Sequence, residues 1–88
     1  MWTVYAIINE RGTIYVGMTK TVHRRLRQHN LNHSTWTKHK GPWKLIYQIE
    51  FDHSRDARTH EKYLKGGAGR KILKTEIARV AELADAHA

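Results

Sequence analysis

Two short segments near the N-terminus most constrain the fold of this chain. Residues 2–9 and 13–18 are rich in β-branched and aromatic side chains, which favour strands. A short connection separates them, and its glycine, Gly12, can take the positive φ that tight turns require. The sequence therefore predicts an antiparallel hairpin, with Tyr5 and Tyr15 both available to one side near its end.

The segment after the hairpin has the periodicity of a helix, which Thr19 or Thr21 can cap. Four residues at the spacing i, i+3, i+4 and i+7 fall on one face of this helix. Two of them are an arginine and a histidine, and packing alone does not explain polar groups on a face that also carries apolar side chains. The four residues are Val22, Arg25, Leu26 and His29.

A polar loop and a third strand follow this helix. Residues 30–40 are polar and predict a loop, which Gly41 and Pro42 punctuate. Residues 43–51 predict a strand, because apolar side chains alternate there with polar neighbours. The alternating apolar positions are Leu45, Tyr47, Ile49 and Phe51.

Two further helices complete the predicted structure. Ser54 can cap the first of them, and Gly66 with Gly67 ends it. The second is predicted to begin near Arg70 and to fray after about Leu83. Its apolar stripe consists of Leu73, Ile77, Val80, Ala81 and Ala84.

Length and composition fit one small domain over residues 1–88. Hydrophobic residues make up 40% of the chain, which is enough for a folded globule. The element order β-β-α-β-α-α predicts an α+β domain, a small three-stranded antiparallel sheet flanked by helices. Because so short a chain has a limited core, we expect a monomer or a weak homodimer.

The charge balance favours a polyanionic partner. The net charge is +8, from 16 Lys and Arg against 8 Asp and Glu. A basic but otherwise ordinary surface would carry the same charge. We prefer nucleic acid because aromatic rings, which stack on bases, lie in the sequence among lysines, which bind phosphates. These residues are Trp36, Trp43 and Tyr47 among Lys38, Lys40 and Lys44.

The composition also excludes several classes of protein and site. The chain has no cysteine, which rules out disulfides and thiolate metal sites. No apolar run approaches the ~20 residues of a membrane span, and the N-terminus lacks the features of a signal peptide. We therefore expect a cytoplasmic protein with no membrane association. The seven histidines show no spacing typical of zinc ligands.

The ordered set of motifs resembles the GIY-YIG nuclease family, in particular its short single-domain members. The two motifs of the family name lie on the predicted hairpin, as Thr-Val-Tyr at residues 3–5 and Tyr-Val-Gly at residues 15–17. The likeness continues through residues 24–30, residues 41–47 and the segment around Glu61. Each short motif is weak alone, but the ordered set covers most of the chain.

This resemblance implies an endonuclease that hydrolyses DNA phosphodiester bonds with a divalent metal, Mg²⁺ or Mn²⁺. By matching positions, Tyr5 and Tyr15 surround the attacking water, and Arg25 contacts the scissile phosphate. His29 assists proton transfer, and Glu61 is the lone carboxylate that holds the metal. The basic residues expected to bind nucleic acid are Lys38, Lys40, Lys65, Arg70 and Lys71.

The chain also departs from the family pattern. Thr3 stands where the family name implies glycine, a change that a strand tolerates. Many members carry an asparagine beyond the glutamate, and residues 66–73 contain none. Its contribution is then absent or supplied by another side chain, with Lys65 and Arg70 as candidates. Gly17 matches the motif glycine, whose missing side chain lets neighbouring groups approach.

The chemistry of the residues favours one metal ion rather than two. Two-metal nucleases need several convergent carboxylates, and no close pair shares a face with the motif residues here. One glutamate suffices if waters and a substrate phosphate fill the other positions of the ion. The general base stays open between Tyr5, whose ordinary pKa of about 10 makes it a poor base, and His29.

Taken singly, each residue also has an ordinary structural interpretation. The tyrosines would be strand residues, Arg25 a solvated helix residue, His29 a helix-end histidine and Glu61 an i, i+4 partner of Lys65. Only their joint occurrence favours a nuclease. The alternative is a non-cleaving nucleic-acid-binding module of the same fold, acting in a DNA repair or recombination complex. Single-stranded or branched DNA is the expected substrate, because no groove-reading element is recognisable.

Overall fold

A computed structural model describes residues 1–32 and 37–86 of the chain, with side chains as far as residue 79. It has three strands and three helices in the order β-β-α-β-α-α, which confirms the predicted fold class. The strands are β1 (Trp2–Ile8), β2 (Ile14–Thr19) and β3 (Lys44–Phe51). The helices are α1 (Val22–Asn30), α2 (Ser54–Leu64) and α3 (Gly67–Ala86). In the part of the chain so described, no helix is long and apolar enough to cross a bilayer.

The sheet is antiparallel, with the strand order β2-β1-β3. The central strand β1 pairs Tyr5 with Gly17 and Ile7 with Tyr15 of β2. On its other side, Tyr5 pairs with Gln48 of β3. Because side chains alternate between the faces of a strand, this register puts Tyr5 and Tyr15 on the same face of the sheet.

Asn9 shapes the predicted hairpin turn. Its Oδ1 accepts hydrogen bonds from the backbone N–H groups of Arg11 at 3.0 Å and Thr13 at 2.8 Å. Its Nδ2 donates to the carbonyl oxygen of Lys40 at 3.1 Å, which ties the turn to the loop before β3. Gly12 has a φ of 84°, so the glycine takes the conformation that the sequence predicts for it.

Helices cover both faces of the sheet. On one face, Tyr5, Ile7 and Trp43 are buried, and Val22 and Leu26 of α1 pack against them. On the opposite face, α2 and α3 enclose the larger apolar core. The buried members of that core are Val4, Ala6, Val16, Ile46, Ala57, Leu64 and Leu73.

Strand β3 does not keep the simple alternation that the sequence predicts. Its pairing with β1 shifts register between Ala6 and Ile7. Leu45 therefore packs on the α1 face, whereas Ile46 and Tyr47 both pack with the core under α2 and α3. Such a bulge puts two neighbouring residues on one side, which a period of two cannot anticipate.

The helix starts also differ in detail from the prediction. Thr21 precedes α1 as expected, but its side chain makes no capping hydrogen bond. His53 precedes α2, so Ser54 is the first helical residue rather than the cap. Asp56 lies in the first turn of α2, where a negative charge interacts favourably with the helix dipole.

Helix α3 is longer than predicted at both ends. It begins at Gly67 rather than near Arg70, and it continues to Ala86 rather than fraying after about Leu83. Of the predicted apolar stripe, Leu73 is buried and Ile77 packs against the core. The other three predicted positions, Val80, Ala81 and Ala84, lie outside the described side chains.

Gly69 explains why α3 can begin so soon after α2. A Cβ atom on Gly69 would overlap the Cα atom of Leu64 and the carbonyl oxygen of Tyr63. Its absence lets the first turn of α3 lie directly against the end of α2. The glycine-rich segment thus joins two closely packed helices instead of forming a longer loop.

Candidate active site

A buried tyrosine–histidine pair lies between the sheet and α1. The Oη atom of Tyr5 is 2.8 Å from Nε2 of His29. Tyr5 is 1% exposed and His29 is 0% exposed. The other ring nitrogen of His29, Nδ1, lies 2.6 Å from Oγ1 of Thr37, which is also buried. Two hydroxyl groups therefore fix the orientation of the imidazole ring.

Burial sets the protonation states of this pair. Burial and the nearby charge of Arg25 lower the pKa of His29 to about 4, so the ring is neutral near pH 7. Burial raises the pKa of Tyr5 to about 12, so the phenol keeps its proton. A neutral imidazole has one N–H and one lone pair, so it donates to one hydroxyl and accepts from the other.

Tyr15 completes a cluster of three rings. Its ring centroid lies 5.0 Å from that of His29 and 6.4 Å from that of Tyr5. Unlike the other two residues, Tyr15 is only half-buried. It therefore lies between the buried pair and the solvent, on the path by which a substrate would approach.

Gly17 lies directly opposite Tyr5 in the hairpin. A Cβ atom on Gly17 would come within 2.6 Å of Oη and 2.8 Å of Cζ of Tyr5. Both distances are far below a van der Waals contact. Any side chain at this position would therefore displace the Tyr5 hydroxyl from His29.

Arg25 lies on α1, one helical turn before His29, and is half-buried. Its Nη1 donates a hydrogen bond to Oε1 of Gln28 at 3.1 Å. The positive charge of Arg25 also opposes the effect of burial on the pKa of Tyr5. A guanidinium has five N–H donors, and several of them are available for phosphate oxygens.

Glu61 brings a carboxylate to the same site from α2. Its negative charge helps to raise the pKa of Tyr5. The side chain is 19% exposed, and Oε1 accepts a hydrogen bond from Nζ of Lys65 at 2.9 Å. The ordinary i, i+4 ion pair is thus present in the structure. A partly exposed carboxylate that is hydrogen-bonded to an exposed lysine still suits Mg²⁺, which keeps several waters and takes one or two carboxylates.

Within residues 1–32 and 37–86, no group of three or more His, Asp or Glu side chains converges on one point. Glu61 would therefore hold an ion with the help of water and substrate oxygens rather than in a cage of protein ligands. Oxygen ligands of this kind fit Mg²⁺ or Mn²⁺ better than zinc.

Comparison with known proteins identifies the family. The family model of the GIY-YIG catalytic domain matches residues 1–73. The chain belongs to the GIY-YIG family. A domain of this family indicates a nuclease that acts on DNA, and such nucleases usually use divalent metals.

Several relatives carry the name UPF0213, which states no activity. A UPF0213 protein of Vibrio parahaemolyticus is 37% identical over 83 residues, covering 93% of this chain and 74% of that protein. A UPF0213 protein of Clostridium perfringens is 32% identical over 63 residues, covering 70% of this chain and 68% of that protein. The solution NMR structure of a UPF0213 protein from Bacillus halodurans is 27% identical, with a TM-score of 0.51. That match covers 91% of this chain and 85% of the other.

The basic residues predicted for this GIY-YIG domain lie in two places, and all of them are exposed. Lys38 and Lys40 lie in the loop before β3. Lys65, Arg70 and Lys71 lie around the junction of α2 and α3. Lys65 and Arg70 also line a groove that reaches Tyr15, whereas Lys71 is outside its lining.

Two of the three aromatic residues predicted to stack on bases, Trp43 and Tyr47, pack inside this GIY-YIG domain instead. Trp43 is 4% exposed, and its Nε1 donates to the carbonyl oxygen of Thr37 at 3.3 Å. Tyr47 packs with the core on the opposite face, 2.9 Å from Nε2 of His60. The stacking prediction is therefore wrong for both rings, while Trp36 lies outside the described residues.

Two residues that support this GIY-YIG site were not predicted. Thr37 holds Nδ1 of His29, but it looks like any other polar loop residue in the sequence. Asn30 binds the backbone of Trp43, accepting from its N–H at 2.6 Å and donating to its carbonyl oxygen at 3.3 Å. Its position directly after His29 was the only signal that could have drawn attention to it.

Proposed function

We propose that this chain is a divalent-metal-dependent endonuclease that hydrolyses DNA phosphodiester bonds with one metal ion. The observation that carries the proposal is the buried contact of 2.8 Å between Tyr5 Oη and His29 Nε2. Arg25 and Glu61 act electrostatically on the same phenol. The pKa values of the buried Tyr5 and His29 are both shifted away from their ordinary values, and contacting pairs of this kind are typical of active sites.

In this proposal, Tyr5 and His29 act together as the base. Both residues are buried, and the attacking water meets the Tyr5 oxygen rather than His29, because both ring nitrogens of His29 already contact hydroxyl groups. As water gives its proton to the Tyr5 oxygen, the Tyr5 proton passes to Nε2 of His29. The lowered pKa of His29 makes this unfavourable until a negative phosphate enters beside the ring.

The remaining residues orient and stabilise the reacting groups. Arg25 binds two oxygens of the scissile phosphate through its planar guanidinium. Glu61 would hold Mg²⁺ or Mn²⁺, and the ion would stabilise the charge on the leaving oxygen. Tyr15 orients the water. Oε1 of Glu61 already accepts a hydrogen bond from Lys65, so the ion would bind Oε2 or displace the lysine.

The substrate we propose is single-stranded or branched DNA. The predicted basic residues lie in two exposed segments rather than along one helix that could enter a groove of a duplex. A small site beside exposed lysines can hold a flexible strand without reading its sequence.

A second candidate is a nucleic-acid-binding module that does not cleave. It is favoured by the ion pair between Glu61 and Lys65, in which the lysine already binds one oxygen of the only metal ligand that we propose. The absence of an asparagine from residues 66–73 points the same way. Such a module would act within a DNA repair or recombination complex.

The deciding experiment compares cleavage of labelled single-stranded, branched and duplex DNA by the wild type, Glu61→Gln and Glu76→Gln. Glu76 is a matched control because it loses the same charge in an ion pair with Arg79 on α3. We expect metal-dependent products that EDTA prevents, a loss of about 100-fold or more in Glu61→Gln, and little change in Glu76→Gln. DNA binding without products in all three proteins would favour the non-cleaving module.

A further inference from the structure

A groove with a volume of about 630 Å³ lies between the outer edge of β2 and the junction of α2 and α3. We call it the β2–α3 groove. Half-buried Ile14 gives the exposed part of its apolar floor, above the buried Val16, Leu64 and Leu73. The basic residues that line it are exposed and form its rim. They are Lys65, Arg70 and Lys74.

The rim of the groove carries a net positive charge. None of the described residues that line the groove is acidic. Lys65 is paired with Glu61, but Arg70 and Lys74 form no ion pair with any residue that the structure describes. A floor of apolar side chains beneath unpaired cations suits a ligand with an anionic group and a flat apolar part. A nucleotide has both.

The groove is continuous with the candidate active site. Tyr15 lines the groove, and its ring lies 5.0 Å from the ring of His29. Lys65 also belongs to both places, because its Nζ contacts Glu61 while its side chain lines the groove. A strand whose phosphate lies at Arg25 and Glu61 can therefore continue directly into the groove.

We propose that the β2–α3 groove binds one unpaired nucleotide of a DNA strand, next to the phosphate that is cleaved. The base or sugar lies on the apolar floor, and Arg70 and Lys74 bind the adjoining phosphate. A base within a duplex is stacked and paired, so it cannot reach this floor, and a duplex contacts only the rim. The position next to the cleaved phosphate rests on the proposed nuclease function, whereas the binding itself does not.

The test measures binding in EDTA, where no cleavage occurs. The probes are a short single-stranded oligothymidine, an oligonucleotide of the same length in which every position is abasic, and a blunt-ended duplex with equal phosphate number. Fluorescence anisotropy gives affinities, and NMR follows the backbone amides of Gly12 and Thr13 in the groove. We expect the intact strand to bind about tenfold more tightly than either other probe, because only it places a base on the floor.

Lys74→Ala and Lys62→Ala form a matched pair for the same assay. Both remove one exposed lysine from a helix, but only Lys74 lines the groove. We expect Lys74→Ala to lower the slope of log affinity against log salt concentration by about 0.7, the value of one phosphate contact to a single strand. Lys62→Ala should change the slope much less.

Equal effects of the two variants, equal affinity for the blunt-ended duplex, or unchanged amide signals of Gly12 and Thr13 would each overturn the proposed groove binding. These outcomes are independent of cleavage. Groove binding as expected, without cleavage when Mg²⁺ or Mn²⁺ is added, would support the groove and reject the nuclease. Cleavage with identical behaviour of Lys74→Ala and Lys62→Ala would do the reverse.

Discussion

At His29, burial and hydrogen bonding together set the chemistry of a single residue. Both ring nitrogens contact hydroxyl groups, those of Tyr5 and Thr37. Neither partner carries a charge that would stabilise an imidazolium, and the positive charge of Arg25 opposes one. The ring therefore stays unprotonated near pH 7, and in the proposed mechanism it gains a proton when the negative phosphate of the substrate enters the site.

The lowered pKa of His29 gives stability a defined dependence on pH. The folded pKa of about 4 lies below the ordinary value of 6.5, so the unfolded chain binds more protons between them. This contribution to stability is present above pH 6.5 and is lost as the pH falls towards 4. We expect the free energy of unfolding of the wild type to fall by about 2–3 kcal/mol over this pH range. His29→Gln should not show this fall, and urea unfolding at several pH values measures it.

The exposed His23 provides the control for this measurement. His23→Gln should retain the pH dependence of the wild type. If His29→Gln retained it as well, the buried imidazole would not be its source, and the proposed protonation states would be wrong.

Gly17→Ala tests the close approach of the hairpin strands to the Tyr5 ring. The new methyl group would meet Oη and Cζ of Tyr5, so the phenol must leave His29. We expect unfolding free energy to fall by about 1–3 kcal/mol, and DNA cleavage to be lost with it. Gly67→Ala is the control, because a Cβ atom there meets nothing within 4 Å.

Removing the Tyr5 hydroxyl from the Gly17→Ala variant separates the loss of stability from the loss of cleavage. Tyr5→Phe with Gly17→Ala should recover part of the stability, because Oη is the nearest clashing atom, but none of the cleavage. Recovery of cleavage would show that the Tyr5 hydroxyl takes no part in the reaction.

At the scale of elements, the junction of α2 and α3 depends on one glycine. The atoms that a Cβ on Gly69 would overlap belong to the backbone of Tyr63 and Leu64, which cannot move aside as a side chain can. We expect Gly69→Ala to destabilise the domain by about 3 kcal/mol, measured by thermal or urea unfolding. Gly66→Ala should cost much less, since its nearest contact is 3.4 Å from the Tyr63 oxygen. Similar losses in both variants would contradict this account.

The elements also show which parts of the fold the sequence could predict. The hairpin and α1 followed from local patterns, because the alternation in β1 and the spacing of Val22, Leu26 and His29 each reflect one buried face. The bulge between Leu45 and Tyr47 did not, because the pairing of β3 with β1 determines it. The start of α3 was missed because glycine usually ends a helix, and close packing at Gly69 outweighs that tendency.

For the whole molecule, the two faces of the sheet have different tasks. The face under α1 carries Tyr5, Tyr15 and His29, whereas the face under α2 and α3 holds the larger apolar core. Sequence spacing could place residues on these faces within each element. It could not show that Thr37 contacts His29 or that Trp43 is buried, since Thr37 lies in a loop, where no periodic pattern predicts which side chains meet. The charge of the two lysines likewise could not show that Lys74 lines the groove whereas Lys71 does not.

The placement of the groove cations on α3 has an evolutionary consequence. Every residue of the proposed chemistry lies on β1, β2, α1 or α2, and the matched family domain ends at residue 73. The part of α3 beyond residue 73, with Lys74, can therefore diverge while the proposed reaction stays intact. Descendants of such a domain could acquire new nucleic-acid targets by altering a single helix, without rebuilding the machinery that breaks the bond.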